Sequence, residues 1–256
     1  MTSVGDELFV LLYEDDNQLV VCSINNYDLR GRLHLPGLGK SQFNDLTSCE
    51  QRTYLYASDH GNSCVRRYDV KGNASGVWPI PHKYKPCGLS LTPSGNLLTT
   101  CQEANKLVEL SADSGQFVRE IALQSDIVNP RHCVQLITGQ YVVCHSDKSK
   151  HRVCIVDDSG TVTCEYGGEP GSGDGHLDRP RRLAVDDDSQ FIFVSDFHND
   201  RVVVLTPNLN PEPVRHMSVE VRFKRKGPYS LHFNRAKRRL FVGEWTWKSG
   251  VVVIQL

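Results

Sequence analysis

The chain has 256 residues, 39% of them hydrophobic, and its 29 basic and 30 acidic side chains leave a net charge of −1. That balance argues against a strongly cationic nucleic-acid protein while leaving local patches open. No run is long and apolar enough to span a membrane, the opening Met-Thr-Ser-Val-Gly-Asp-Glu lacks the basic-then-apolar order of a signal peptide, and the nine cysteines read as reduced thiols of a cytoplasmic protein.

In chain order, the apolar segments are short and they recur. LFVLLYEDDNQLVVC (8–22) comes first, followed by YLYASDHGNSCVRRY (54–68) and LLTTCQEANKLVEL (97–110). YVVCHSDKSKHRVCIV (141–156), the long unit 167–205 and LFVGEWTWKSGVVVI (240–254) complete the series. Within each, one residue marks the end of the second strand: Tyr13, Asp59, Cys101, His145, Asp196 and Glu244. The separations between these marks are 46, 42, 44, 51 and 48 residues, by subtraction of their positions. Such a period suits one four-stranded propeller blade of roughly 40–50 residues. The runs are rich in Val, Leu, Phe and Tyr and are bounded by turn formers such as Pro93-Ser94-Gly95-Asn96 and Asp157-Asp158-Ser159-Gly160. No segment carries a sustained helical period.

These features predict an all-β fold: a six-bladed β-propeller of four-stranded antiparallel blades, forming a single domain over 1–256. The blades are placed at roughly 1–38, 39–82, 83–126, 127–176, 177–223 and 224–256. Only Met1 to Gly5 precede Leu8, so an inner strand is expected to be missing from the first blade and an outer one from the last. Either the sequence is a fragment of a longer protein or the ring closes imperfectly.

The stretch 167–205 has a Gly-rich loop, Leu177-Asp178-Arg179-Pro180-Arg181, then Ala184-Val185-Asp186, Val194-Ser195-Asp196, and Asn199 before Arg201-Val202. In these features it resembles the NHL repeat of six-bladed propellers. Asn129-Pro130-Arg131 and Lys85-Pro86-Cys87-Gly88-Leu89 repeat the start of the blade. The resemblance implies a binding platform, best known as the recognition part of tripartite-motif ubiquitin ligases, where it recognises RNA or protein. The sequence has no zinc-spaced Cys/His cluster, B-box or coiled-coil heptads, so ligase activity is not carried over.

In a propeller, the loops leading into the innermost strand share a face with the loops joining the second and third strands. On that upper face the sequence places Lys85, Arg131, Arg179, Arg181, Arg225 and Lys226, with Trp245 and Trp247 beside them. Basic groups next to aromatic ones suit an acidic protein segment, because arginine grips carboxylates through two parallel hydrogen bonds. They also suit single-stranded RNA, through phosphate contacts and base stacking. The Arg/Lys run at 235–239 reads as a solvated turn on the opposite face.

A third class, a hydrolase or lyase with a site in the axial channel, needs converging ligands or nucleophiles. The innermost positions offer Cys87, Arg131, His132, Arg181, Arg182 and Tyr229, of which only His132 is a good neutral ligand. No catalytic residue, metal or cofactor is expected. The reading is therefore a non-catalytic interaction module that takes a protein segment or peptide on a basic upper face. RNA is the first alternative and channel chemistry the second. No membrane partner is expected.

Overall fold

The structure, a computed structural model, describes residues 1–11, 18–37, 43–209, 227–244 and 251–256. Six antiparallel sheets follow one another along the chain, each with its strands in sequence order, in a six-bladed β-propeller fold. The chain divides into two compact units: Met1–Ala104 with Val108–Arg119, and Asn105–Leu107 with Glu120–Leu256.

The first unit begins with β1 (Thr2–Val4), β2 (Glu7–Leu11), β3 (Gln18–Ser23) and β4 (Leu29–His34) in one sheet. The segment before Leu8 does supply an inner strand, contrary to the expectation above: Thr2, Ser3 and Val4 pair with Phe9, Leu8 and Glu7. β5 (Phe43–Cys49), β6 (Tyr54–Asp59), β7 (Cys64–Asp69) and β8 (Ala74–Pro79) form the second sheet. The third holds β9 (Pro86–Leu91), β10 (Leu97–Cys101), β11 (Lys106–Leu110) and β12 (Phe117–Ala122), the last two reaching the division between units.

In the second unit, β13 (Pro130–Gln135), β14 (Tyr141–Ser146), β15 (His151–Val156) and β16 (Val162–Gly168) make the fourth sheet. The fifth comprises β17 (Pro180–Val185), β18 (Ile192–Asp196) and β19 (Arg201–Leu205). The sixth comprises β20 (Pro228–Asn234), β21 (Arg239–Glu244) and β22 (Val251–Gln255). These two have three strands each among the described residues.

The core lies between sheet faces. In the first unit, Phe9, Leu19 and Val21 pack on Leu46, Leu55 and Tyr68, while Tyr56, Val65 and Trp78 pack on Leu89, Leu97 and Val108. In the second, Val142, Cys144 and Val153 meet Leu183, Ile192 and Val194, and Phe193 and Val202 meet Leu231, Leu240 and Val242. Each such side chain, fully buried, contributes about 1.5–3 kcal/mol. A middle strand such as β14 is buried along its whole length because both its faces are covered, whereas the outer β4 is mostly exposed. All nine cysteines are free thiols.

Two local devices repeat. The first is the hairpin turn. Gly95 and Gly139 stand at φ +82° and +90°, and their amides donate to Thr92 O and Leu136 O at 2.9 Å. This left-handed position after a type I turn favours glycine.

The second device is a bulge in the inner strand of the second to sixth sheets. The register shifts between Phe43 and Leu46 and between Pro180 and Leu183, opposite β6 and β18 respectively. A hydroxyl on the neighbouring strand holds the displaced amide. Ser58 Oγ accepts from Asp45 N–H, Thr100 Oγ1 from Gly88 N–H, and Ser195 Oγ from Arg182 N–H, each at 2.8 Å. In the sixth sheet Gly243 stands where the hydroxyl residue does in those three, facing Ser230, whose hydroxyl leaves no room for a side chain there. Bulges re-aim side chains at the ends of strands. Here they make Arg131, Arg181 and Tyr229 equivalent, each following a proline that pairs with the last residue of the second strand or its neighbour in register.

Candidate functional site

Asp196 organises the loop that leads to Arg181. It is fully buried and accepts hydrogen bonds from Asp178 N–H (2.6 Å), Asn199 Nδ2 (2.7 Å) and Arg201 Nε (2.8 Å). Burial holds its carboxyl above the usual range, although all three donors oppose that shift. Arg201 extends the clasp to Ser172 O (3.0 Å) and His176 O (2.8 Å), and Asn199 Nδ2 donates to Gly171 O at 2.8 Å. The Gly-rich loop is thereby fastened to the turn between β18 and β19. That turn reaches back: Phe197 N–H donates to Arg179 O (3.4 Å) and His198 N–H to Asp178 O (3.0 Å). In the first unit Asp59 makes the same clasp with Asn62 and with Arg66 Nε, at 2.7 Å.

The fourth sheet keeps the clasp with different chemistry. His145 takes the aspartate's place, its Nε2 accepting from Arg152 Nε at 3.0 Å while Nδ1 contacts Val128 O at 3.2 Å. This fixes a neutral imidazole protonated on Nδ1. The counter-charge for Arg152 comes instead from Asp126 (2.8 Å) and Glu165.

The clasp of the fifth sheet places Phe197 beside Arg181. The Arg181 guanidinium lies 4.8 Å from the Phe197 ring centroid and 4.5 Å from that of Tyr229. The two rings are 5.9 Å apart and nearly perpendicular, at 77°, so they form a corner for the guanidinium. Arg182, almost fully buried, also lies over Tyr229, at 5.9 Å, and its NH1 donates to Arg181 O at 3.1 Å. Burial pulls Arg181 below the ordinary arginine range; Tyr229 opposes that shift, and Arg182 and Arg131 reinforce it. Desolvation and like charge both disfavour a cation, whereas ring faces stabilise it.

Asp178 lies 3.1 Å from His151 Nδ1 and 3.4 Å from His198 Nδ1. Lys150 pairs with Asp126 at 3.1 Å. Among the described residues, neither Arg179 nor Arg181 has a carboxylate within ion-pair distance.

The residues singled out in the sequence fall into three groups. Arg131 and Arg181 come together on adjacent inner strands, and Arg179 stands exposed beside them. Its backbone is left-handed at φ 53°, with its N–H donating to His151 Nδ1 at 3.1 Å. Lys85, in the first unit, pairs with Glu103 at 3.2 Å, and both side chains are well exposed. Arg225, Lys226, Trp245 and Trp247 lie outside the described residues. Among the described residues, the aromatic groups that meet the arginines are Phe197 and Tyr229. The equivalence of Pro228-Tyr229 with Pro180-Arg181 was the available signal for Tyr229. The run at 235–239 is not simply a solvated turn: Arg235 pairs with Asp188, and Arg238 with Asp186 at 2.7 Å.

No family model matches the chain, and no curated protein matches it. Solved structures do. A chain of a nidogen/laminin complex is 17% identical, with a TM-score of 0.71, over 98% of this chain and 89% of that one. A protein of unknown function from Bacteroides caccae is 14% identical, with a TM-score of 0.71, over 98% and 90%. Virginiamycin B lyase from Staphylococcus aureus is 13% identical, with a TM-score of 0.62, over 99% and 83%. At these identities the likeness establishes the propeller fold and nothing finer.

Proposed function

We propose that this propeller is a non-catalytic interaction module of the NHL type, and that the arginine-rich inner strands of its second unit bind an acidic protein segment. The observation that carries this reading is the pair Arg179 and Arg181, which no carboxylate among the described residues matches, next to Arg131 and Arg182. Two arginines without a carboxylate partner attract and orient an acidic segment. A similar propeller solved within a nidogen/laminin complex supports a protein as partner. Phe197 and Tyr229 are half-buried and turned onto Arg181, which leaves them poorly placed to stack bases.

Fluorescence anisotropy tests this with two ligands: octa-glutamate blocked at both ends, and a single-stranded oligouridylate of the same length. The peptide is expected to bind, and to bind more weakly as salt rises from about 50 to about 200 mM. Preference for the RNA, or no saturable binding of the peptide, refutes the reading.

A further inference from the structure

We infer that Arg181 is the position that reads a carboxylate of the bound segment, gripping it with both prongs of the guanidinium. This rests on the function proposed above and names the group recognised and the residue that recognises it.

Three observations converge. First, Arg181 is held before any ligand arrives. Its carbonyl accepts from Arg182 NH1 at 3.1 Å, and the following amide is pinned to Ser195 Oγ at 2.8 Å. Its guanidinium occupies the corner of the Phe197 and Tyr229 rings, at 4.8 and 4.5 Å. A donor fixed in this way loses little freedom on binding.

Second, its charge is unmatched. Elsewhere in this unit carboxylates answer other arginines: Asp196 pairs with Arg201 at 2.8 Å, Asp126 (2.8 Å) and Glu165 with Arg152, and Asp186 with Arg238 at 2.7 Å. The groups weighing most on Arg181 are Tyr229, Arg182 and Arg131, with no acid among them. A guanidinium partly removed from water beside two like charges is stabilised most by an incoming anion.

Third, the shape of the group suits the ligand. The two rings flank the guanidinium at 4.8 and 4.5 Å, and the planar fork of an arginine carries parallel donors. A carboxylate matches that geometry with two hydrogen bonds; an ammonium in the same place does not. The carboxylate can come from an aspartate or glutamate side chain or from a chain terminus.

The test compares wild type with Arg181→Lys and Arg179→Lys. Binding is measured for octa-glutamate blocked at both ends and for an acetylated Gly-Ser octapeptide with a free C-terminus. Arg181→Lys is expected to weaken octa-glutamate about tenfold or more, and Arg179→Lys less than about threefold. Tighter binding of the Gly-Ser peptide, with the same dependence on Arg181, assigns the site to a terminal carboxylate and upholds the inference. Wild-type binding that Arg181→Lys leaves within about threefold overturns it while leaving the binding face intact. Failure of the wild type to bind either peptide removes the proposed function as well. In case Arg181→Lys does not fold, the 15Nε resonance of Arg181 in wild type serves instead. It shifts on titration with octa-glutamate if the inference holds, and stays fixed while binding saturates if it does not.

Discussion

Replacing Asp196 with alanine will destabilise the second unit by about 3–5 kcal/mol, the usual result of removing one partner from a buried ion pair. The side chain is fully buried and Arg201 is only 17% exposed, so bulk solvent does not reach the donors as it would at a surface pair. Three donors lose their acceptor at once: Asp178 N–H, Asn199 Nδ2 and Arg201 Nε. Asp196→Asn keeps the shape and one carbonyl oxygen, so it should lose less. Urea denaturation of the two variants measures both effects. A loss under about 1 kcal/mol for the alanine variant would show that the clasp follows the loop rather than holding it.

Acid will unfold the wild type more readily than a His145→Gln variant. Burial, helped by the nearby Arg152 charge, lowers the His145 pKa from 6.5 to about 4. The unfolded chain therefore takes up a proton at higher pH than the folded one does. The stabilisation from neutral His145 is complete above pH 6.5, declines as pH falls below that value, and is gone below about pH 4. The interval corresponds to about 3 kcal/mol, from roughly 1.4 kcal/mol per pKa unit. The difference in unfolding free energy between the two proteins, followed from pH 7 to pH 4, should change by that order. Parallel pH profiles would mean that His145 accepts a proton without loss, and that its bonds to Arg152 and Val128 carry no weight.

Both results bear on how the loops are set, and that was only partly legible in the sequence. The propeller could be read because its devices are local. Strand ends marked by Asp59, His145 and Asp196 recur at blade spacing, and glycines such as Gly95 and Gly139 sit where the turn requires a positive φ. The inner strand Thr2–Val4 was missed because three residues carry no periodicity of their own; pairing with β2 creates it. Arg131 and Arg181 were found because each follows a proline at the start of an inner strand. Tyr229 was legible only as an innermost position and Phe197 not at all, because the bulge and the turn clasp that aim them at Arg181 are tertiary features. The ion pairs of Arg235 and Arg238 were hidden for the same reason: Asp188 and Asp186 lie about fifty residues away in sequence, in the neighbouring sheet.

The clasp and the arginine cluster also explain one another. Asp196 and Arg201 fasten the loop 171–178 and present Phe197; the bulge held by Ser195 turns Arg181 onto that ring. The residues that shape the blade therefore also set the charge that the face presents. A loosened clasp should weaken binding even when the arginines are untouched.

The most direct measurement is the affinity of octa-glutamate for a protein carrying Arg131→Glu, Arg179→Glu and Arg181→Glu together, alongside its melting curve. A cluster that receives an acidic segment predicts a folded protein with no detectable binding. A folded triple variant that binds the peptide as wild type does would contradict the account.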